Sequence, residues 1–184
     1  MNEVVSVGGK LALICAIAAV ALGLVNAVTA PAIANVKEEQ LASALDTVRG
    51  TAEAGEEQLV EDDPIVKGYY PLNSGGSEAG YILKLTGVGY AGDMELLASI
   101  DFDGEIRSVK LMDNAETPGL GKEAEKSEYM EKFVGTGAQT PVPLNKQQLS
   151  QKHADSVSGA SITFMGLAQA LEAGSDYVKE QLGK

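Results

Sequence analysis

The chain has 184 residues, with 14 Lys and Arg against 26 Asp and Glu, a formal net charge of −12, one cysteine and one histidine. That is the length of one domain with a small extra element, and so acidic a surface repels nucleic acid and anionic lipid headgroups. One cysteine and one histidine exclude an iron–sulfur cluster, a c-type haem, an internal disulfide and a His-rich metal site within this chain, so electron handling would fall to an organic cofactor.

Residues 11–34 carry no charged side chain. As a helix they span about 36 Å, enough to cross a bilayer. Ala12, Ala16, Ala19 and Gly23 recur along the run and permit close helix–helix contact. Ala32-Ile33-Ala34 resembles a signal-peptidase site, but the run is longer than a usual signal core and lacks a strongly basic front. Ile14 stands before Cys15, where a lipoprotein signal wants a small residue. Residues 1–34 are therefore expected to be an uncleaved anchor with a short N-terminal tail. Lys10 and the amino terminus on one side face Lys37 and Arg49 on the other, so charge does not set the orientation.

Residues 35–64 are expected to form a helix and an acidic linker. The helix runs over 36–49, with Leu41, Leu45 and Val48 on one side and Gly50 as its stop, and the linker over 51–64. From residue 65 the period becomes extended. Four strands are predicted, over 66–70, 80–87, 94–102 and 105–112, with turns at Asn73-Ser74-Gly75-Gly76 and Asp103-Gly104. The connections are too short for helical crossovers, which makes the sheet antiparallel. The glycine-dense stretch Gly87-Val88-Gly89-Tyr90-Ala91-Gly92 reads on its own as a wide turn.

Glu116-Thr117-Pro118-Gly119-Leu120-Gly121 is a tight Pro-Gly turn whose glycines let a backbone pass close to something flat or bulky. Residues 122–133 read as a polar helix burying Tyr129, Met130 and Phe133, and 135–144 as irregular chain. The stretch Asp155-Ser156-Val157-Ser158-Gly159-Ala160-Ser161-Ile162-Thr163 opens a helix over 164–182, with Phe164, Ala168 and Leu171 on one face. Ser158 is a good N-cap, and the first turn, with free N–H groups and the positive end of the dipole, suits a phosphate. Taken by spacing alone it is an ordinary capped helix start. His153 beside Asp155 could act as a base, although a surface histidine before a helix is the commoner situation.

Three of these stretches resemble one family, the FMN-binding domains that carry their flavin covalently. Residues 155–161 are similar to its Asp-x-x-Ser/Thr-Gly-Ala-Thr/Ser acceptor site, 116–121 match its Glu-Thr-Pro-Gly-Leu-Gly signature without a substitution, and 87–92 resemble its Gly-Tyr-Gly-Gly turn, from which Ala91 departs. The resemblance implies an α+β fold, with an N-terminal transmembrane helix followed, over 65–184, by an FMN-binding domain of antiparallel sheet and flanking helices. It implies FMN esterified through its phosphate to Ser161, with serine standing where threonine is usual. Cofactor-binding residues would then be Asp155, Ser158, Gly159, Ala160 and Thr163 about the helix start, and Glu116, Thr117, Pro118, Gly119, Leu120 and Gly121 about the ring. No side chain need be a catalyst, and no metal is called for.

Within that family the chain is similar to the G subunits of Rnf-type ion-translocating electron-transport complexes, and less closely to the larger C subunit of the sodium-pumping NADH:quinone oxidoreductase. The implied role is a relay in a complex that couples electron flow between reduced ferredoxin and NAD to sodium or proton movement. Its partners would be the other subunits of that membrane redox complex and a flavin transferase using FAD, and its domain would lie outside the cytoplasmic membrane. Two other readings stay open: a tethered sensory or interaction module of the same fold, and a secreted electron carrier released by cleavage after Ala34.

Overall fold

The computed structural model describes residues 2–183. Met1, the first residue of the expected anchor, and Lys184, the last of the expected domain, lie outside them. The chain divides into two compact units, Met1–Leu41 and Ala42–Lys184.

The first unit is helix alone. Helix α1 (Asn2–Arg49) runs without interruption through the uncharged stretch and past it, with Pro31 inside. The separate helix expected over 36–49 is therefore the end of α1. Only Asn35 stands between the two stretches, with no glycine to stop the helix, and long apolar helices tolerate an internal proline. The Thr29 hydroxyl donates back to the Val25 carbonyl at 2.9 Å. The helix is long and apolar enough to cross a membrane, with a mean hydropathy of 2.6 in its most apolar window. Its last turns lie in the second unit, where Ala44 and Val48 are buried and Leu45 half-buried, on the stripe the spacing predicts.

The second unit is built on one antiparallel sheet: β1 (Glu53–Ala54), β2 (Gln58–Leu59), β3 (Val66–Ser74), β4 (Ser77–Val88), β5 (Asp93–Ile100) and β6 (Ile106–Asp113). The order is β1-β3-β4-β5-β6, with β2 also on β3. The expected linker over 51–64 is thus partly strand. Its two-residue pieces, too short to show an alternation, take up the free edge of β3, and flanking bonds from Gly55 N to Pro71 O and Val60 N to Lys67 O extend the pairing. The four long strands lie where the alternation puts them. They are joined by the Gly75-Gly76 turn, the 89–92 turn and a loop in which Asp101 accepts from the Asp103 and Glu105 amides and from Arg107.

Registers Leu83↔Ala98 and Leu85↔Leu96 put these residues on one face of the sheet, and with Ile100, Ile106 and Leu111 they form the floor of the core. Helix α4 (Ser161–Tyr177) lies across β4, β5 and β3 and supplies Phe164, Leu167, Ala168 and Leu171 from one stripe. Each of these is at most 1% exposed, and a buried Leu or Phe contributes about 1.5–3 kcal/mol. Phe164 stacks on Phe133 with ring centroids 5.3 Å apart.

The chain between β6 and α4 is more broken than its sequence suggests. The polar helix expected over 122–133 is a 3₁₀ turn (Gly121–Glu125), an extended Lys126, and a single α turn, α2 (Ser127–Met130). Its buried side is nonetheless Tyr129, Met130 and Phe133, joined by Ala124. A second 3₁₀ turn (Lys146–Gln148), capped by Asn145, leads to α3 (Gln151–Ser156). The final helix ends at Tyr177 and continues to Leu182 as a π turn, Val178–Leu182.

Candidate functional site

Three loops meet at the N-terminal end of α4. The first is the turn over 89–92 between β4 and β5, closed by Gly89 N to Gly92 O at 2.8 Å. The second is the 116–121 loop that follows β6. Its backbone folds back through Leu120 N to Thr117 O, and Gly119 sits at φ +76°, a conformation only glycine adopts cheaply. The third is the turn over 157–160. Here Ser158 N bonds Asp155 O, Ala160 N bonds Val157 O, and Gly159 takes φ +88°.

The expected N-cap moves. Ser158 is exposed and belongs to the turn that closes α3; the residue flanking α4 is Ala160, whose side chain offers no cap. A positive φ at Gly159 separates the two helices, so the chain cannot enter α4 before Ala160. The first intrahelical bond runs from Phe164 N to Ala160 O at 3.0 Å, which leaves the amides of Ser161, Ile162 and Thr163 ahead of it as free donors at the positive end of a 17-residue helix. No side chain competes for that end, so it is more available to a ligand than the sequence reading allowed.

Between the loops lies an open cleft of about 420 Å³, lined by Tyr90, Glu116, Thr117, Leu120, Gly121, Gly159, Ala160, Ser161, Ile162 and Thr163. The structure therefore brings together eight of the twelve residues singled out from the sequence. Pro118 and Gly119 shape the loop without lining the cleft. Ser158 and Asp155 are absent from its wall, and the Asp155 carboxylate accepts instead from Gln151 Nε2 at 3.1 Å. Tyr90 and Ile162 are lining residues that sequence reasoning missed. Tyr90 stood inside the glycine-dense turn and Ile162 beside Ser161, so position alone could have found them.

The three hydroxyls of the 158–163 stretch have different fates. Thr163 is 1% exposed and its Oγ1 donates to Glu116 Oε2 at 2.6 Å. Ser158 lies off the cleft. Ser161 is exposed, in the first turn of α4, and lines the cleft. His153 sits half-buried in α3 and faces a different cleft, of about 360 Å³, with Tyr129, Lys132 and Lys152, so it is no partner for Ser161. In that second cleft Lys132 lies 3.7 Å from the Tyr129 ring centroid, and burial holds its pKa below the ordinary lysine value.

The first cleft fits a flavin phosphate. Its volume is within the range of small-cofactor sites, roughly 300–1,000 Å³. Its wall mixes apolar side chains with a free hydroxyl and unpaired amides. At Gly159 an added Cβ would press on Leu120 at 3.0 Å, so glycine keeps two walls of the cleft close.

Comparison with known proteins points the same way. Residues 89–176 match the FMN-binding domain family, which takes in the 89–92 turn, the 116–121 loop and nearly all of α4, the three parts that build the cleft. The match defines the class: an α+β flavin-binding domain. The chain is 30% identical over 99% of its length, and 98% of the relative's, to the G subunit of the ion-translocating oxidoreductase complex of Methanosarcina acetivorans. It is 24% identical, over 96% and 92% of the two lengths, to the G subunit of the proton-translocating ferredoxin:NAD(+) oxidoreductase complex of Clostridium ljungdahlii. A third relative, the G subunit of the Na(+)-translocating ferredoxin:NAD(+) oxidoreductase complex of Acetobacterium woodii, is 30% identical over 87% and 84%. With identity of that degree along its whole length, the chain belongs to the family of ion-translocating oxidoreductase complex G subunits.

Proposed function

We propose that this chain is a membrane-anchored flavoprotein that carries FMN as a phosphoester on Ser161 and relays electrons within an ion-translocating ferredoxin:NAD oxidoreductase. The reading is supported by relatives whose names state that activity and by the family match across the cleft. The observation that carries the attachment site is the state of the hydroxyls: Ser161 is exposed at the free amides of α4, while Thr163 is buried against Glu116. FMN would supply the electron chemistry, and the protein its position and electrostatics. Tyr90, Leu120 and Ile162 offer exposed apolar surface that a ring would cover, and the amides of residues 161–163 would hold negative charge at the helix end.

Attachment is a phosphoryl-type transfer from FAD, carried out by a separate flavin transferase. The bond from Ser161 Oγ to the phosphorus of the FMN half forms, the pyrophosphate P–O bond breaks, AMP departs, and the hydroxyl proton passes to a base of the transferase. Mass spectrometry of the peptide over 158–163 should show FMN mass on Ser161, and Ser161→Ala should abolish the fluorescence that survives denaturation. Fluorescence kept in Ser161→Ala and lost in Thr163→Ala would overturn the assignment.

Residues 1–34 serve in this reading as the retained anchor, 35–64 as its junction with the domain, and 65–184 as the flavin domain, outside the cytoplasm. Partners are the other subunits of the membrane complex. Protease added to spheroplasts should cut the acidic domain; protection until lysis would place it inside. An N-terminal sequence beginning after Ala34 would instead favour a secreted carrier.

A further inference from the structure

Glu116 is 4% exposed, and each of its carboxylate oxygens is taken. Oε1 accepts the Ala91 amide at 2.9 Å, and Oε2 accepts the Thr163 hydroxyl at 2.6 Å. Its own amide donates to Asn114 Oδ1 at 2.9 Å, and Asn114, also buried, donates from Nδ2 to Glu125 Oε1 at 3.0 Å. One carboxylate thus joins the turn after β4, the loop after β6 and the first turn of α4. The backbone is cut to fit it: a Cβ on Gly89 or on Gly121 would overlap the Glu116 carboxylate. Ala91, the departure from the family's glycine, is harmless because only its amide is used.

A group with both oxygens occupied has little left with which to bind a ring. We propose that Glu116 is the positioning residue of the cleft: by holding the Ala91 amide and the Thr163 hydroxyl at once, it fixes the spacing of the walls and the setting of α4 from which Ser161 projects. The proposal rests on the reading that this cleft takes the flavin, and deepens it by giving Glu116 an indirect role where the sequence motif implied a direct one. It also accounts for the Thr163 hydroxyl being kept from competing with Ser161.

The test has two arms on the full-length chain in detergent. In the first, made without a flavin transferase, hydrogen–deuterium exchange is followed in Glu116→Ala and Glu116→Gln. The alanine variant should exchange at least about tenfold faster at Ala91 and at the hydrogen-bonded amides of residues 164–167, with the β3–β4 hairpin unchanged. Glutamine should stay within about threefold of the parent, because its carboxamide oxygen can accept from Ala91 while its NH₂ donates to the Thr163 oxygen. Unchanged exchange in Glu116→Ala overturns the proposal. If that variant loosens everywhere, Thr163→Val decides: faster exchange confined to the bonded amides of 164–167 supports the brace, and none overturns it.

In the second arm, with a transferase, covalent flavin fluorescence should fall about tenfold in Glu116→Ala and return to within about threefold in Glu116→Gln. Glutamine as poor as alanine would assign the effect to charge and overturn positioning. A parent chain that takes no covalent flavin would overturn the functional reading alone, since the exchange arm still judges the brace.

Discussion

Gly166 of α4 lies directly under the carbonyl of Val88, so close that a Cβ on Gly166 would overlap that oxygen, and a Cβ on Gly87 would stand 2.8 Å from the Gly166 carbonyl. The helix meets the end of β4 backbone to backbone. Gly166→Ala must push α4 off the sheet, and overpacking of this kind costs about 3 kcal/mol. Chemical denaturation should show that loss, whereas Met165→Ala beside it, on the half-exposed side, should cost far less. Equal stability in Gly166→Ala and the parent would mean that the helix can ride higher on the strand than described.

Ser158 has the chemistry of a cap but not its place. Ser158→Ala should change stability by no more than about 0.5 kcal/mol, against about 1 kcal/mol for a lost cap, and should leave covalent flavin loading intact. A melting curve with in-gel fluorescence reads both. A full cap-sized loss would return Ser158 to the start of α4.

Gly119 is held at φ +76° with open space where a Cβ would stand. The Cβ of Gly119→Val therefore meets no clash, and the substitution brings left-handed backbone strain of about 1–2 kcal/mol. Relief by opening the turn would move Leu120 and Gly121, which line the cleft. Flavin absorbance and reduction rate should change more than the melting temperature does. Identical spectra with a lower melting temperature would leave the loop a structural turn.

Lys132 is buried, with its ammonium over the Tyr129 ring and donating to the Tyr129 carbonyl at 3.1 Å. Burial lowers its pKa from 10.5, and Glu131 opposes the shift only in part. Between the folded value and 10.5 the unfolded chain holds the extra proton, so stability rises with pH across that window. Lys132→Met should lack this rise: its stability relative to the parent should be most favourable at about pH 7 and decline as the pH climbs toward 10.5. Urea midpoints measured at steps across that range give the comparison. Parallel curves would show that the lysine is not desolvated.

The strands were legible because Tyr81, Leu83 and Leu85 alternate with polar or oppositely facing neighbours and because Gly75-Gly76 and Asp103-Gly104 mark the turns. The core face of α4 was legible from Phe164, Ala168 and Leu171. Strands β1 and β2 were hidden because two residues carry no period; their existence depends on the free edge of β3. The cap was misplaced because Ser158 satisfies local rules that Gly159 overrides by its backbone conformation. The role of Glu116 could not be read at all, since its partners Ala91 and Thr163 stand 25 and 47 residues away in opposite directions. The motif marked the residue, but only folding reveals what it holds.

Helix α4 follows every strand in the chain and is fastened at three depths: by Thr163 to Glu116, by Gly166 to Val88, and by Ser175, whose hydroxyl bridges the carbonyls of Gly104 and Gly137 from 71 and 38 residues away. These long-range closures are slow steps, made only once the intervening sheet exists. A nascent chain thus displays its serine on an undocked segment, with no cleft opposite. If the proposed loading of Ser161 requires the docked helix, copies that never close these contacts would stay colourless, and colour would report folding.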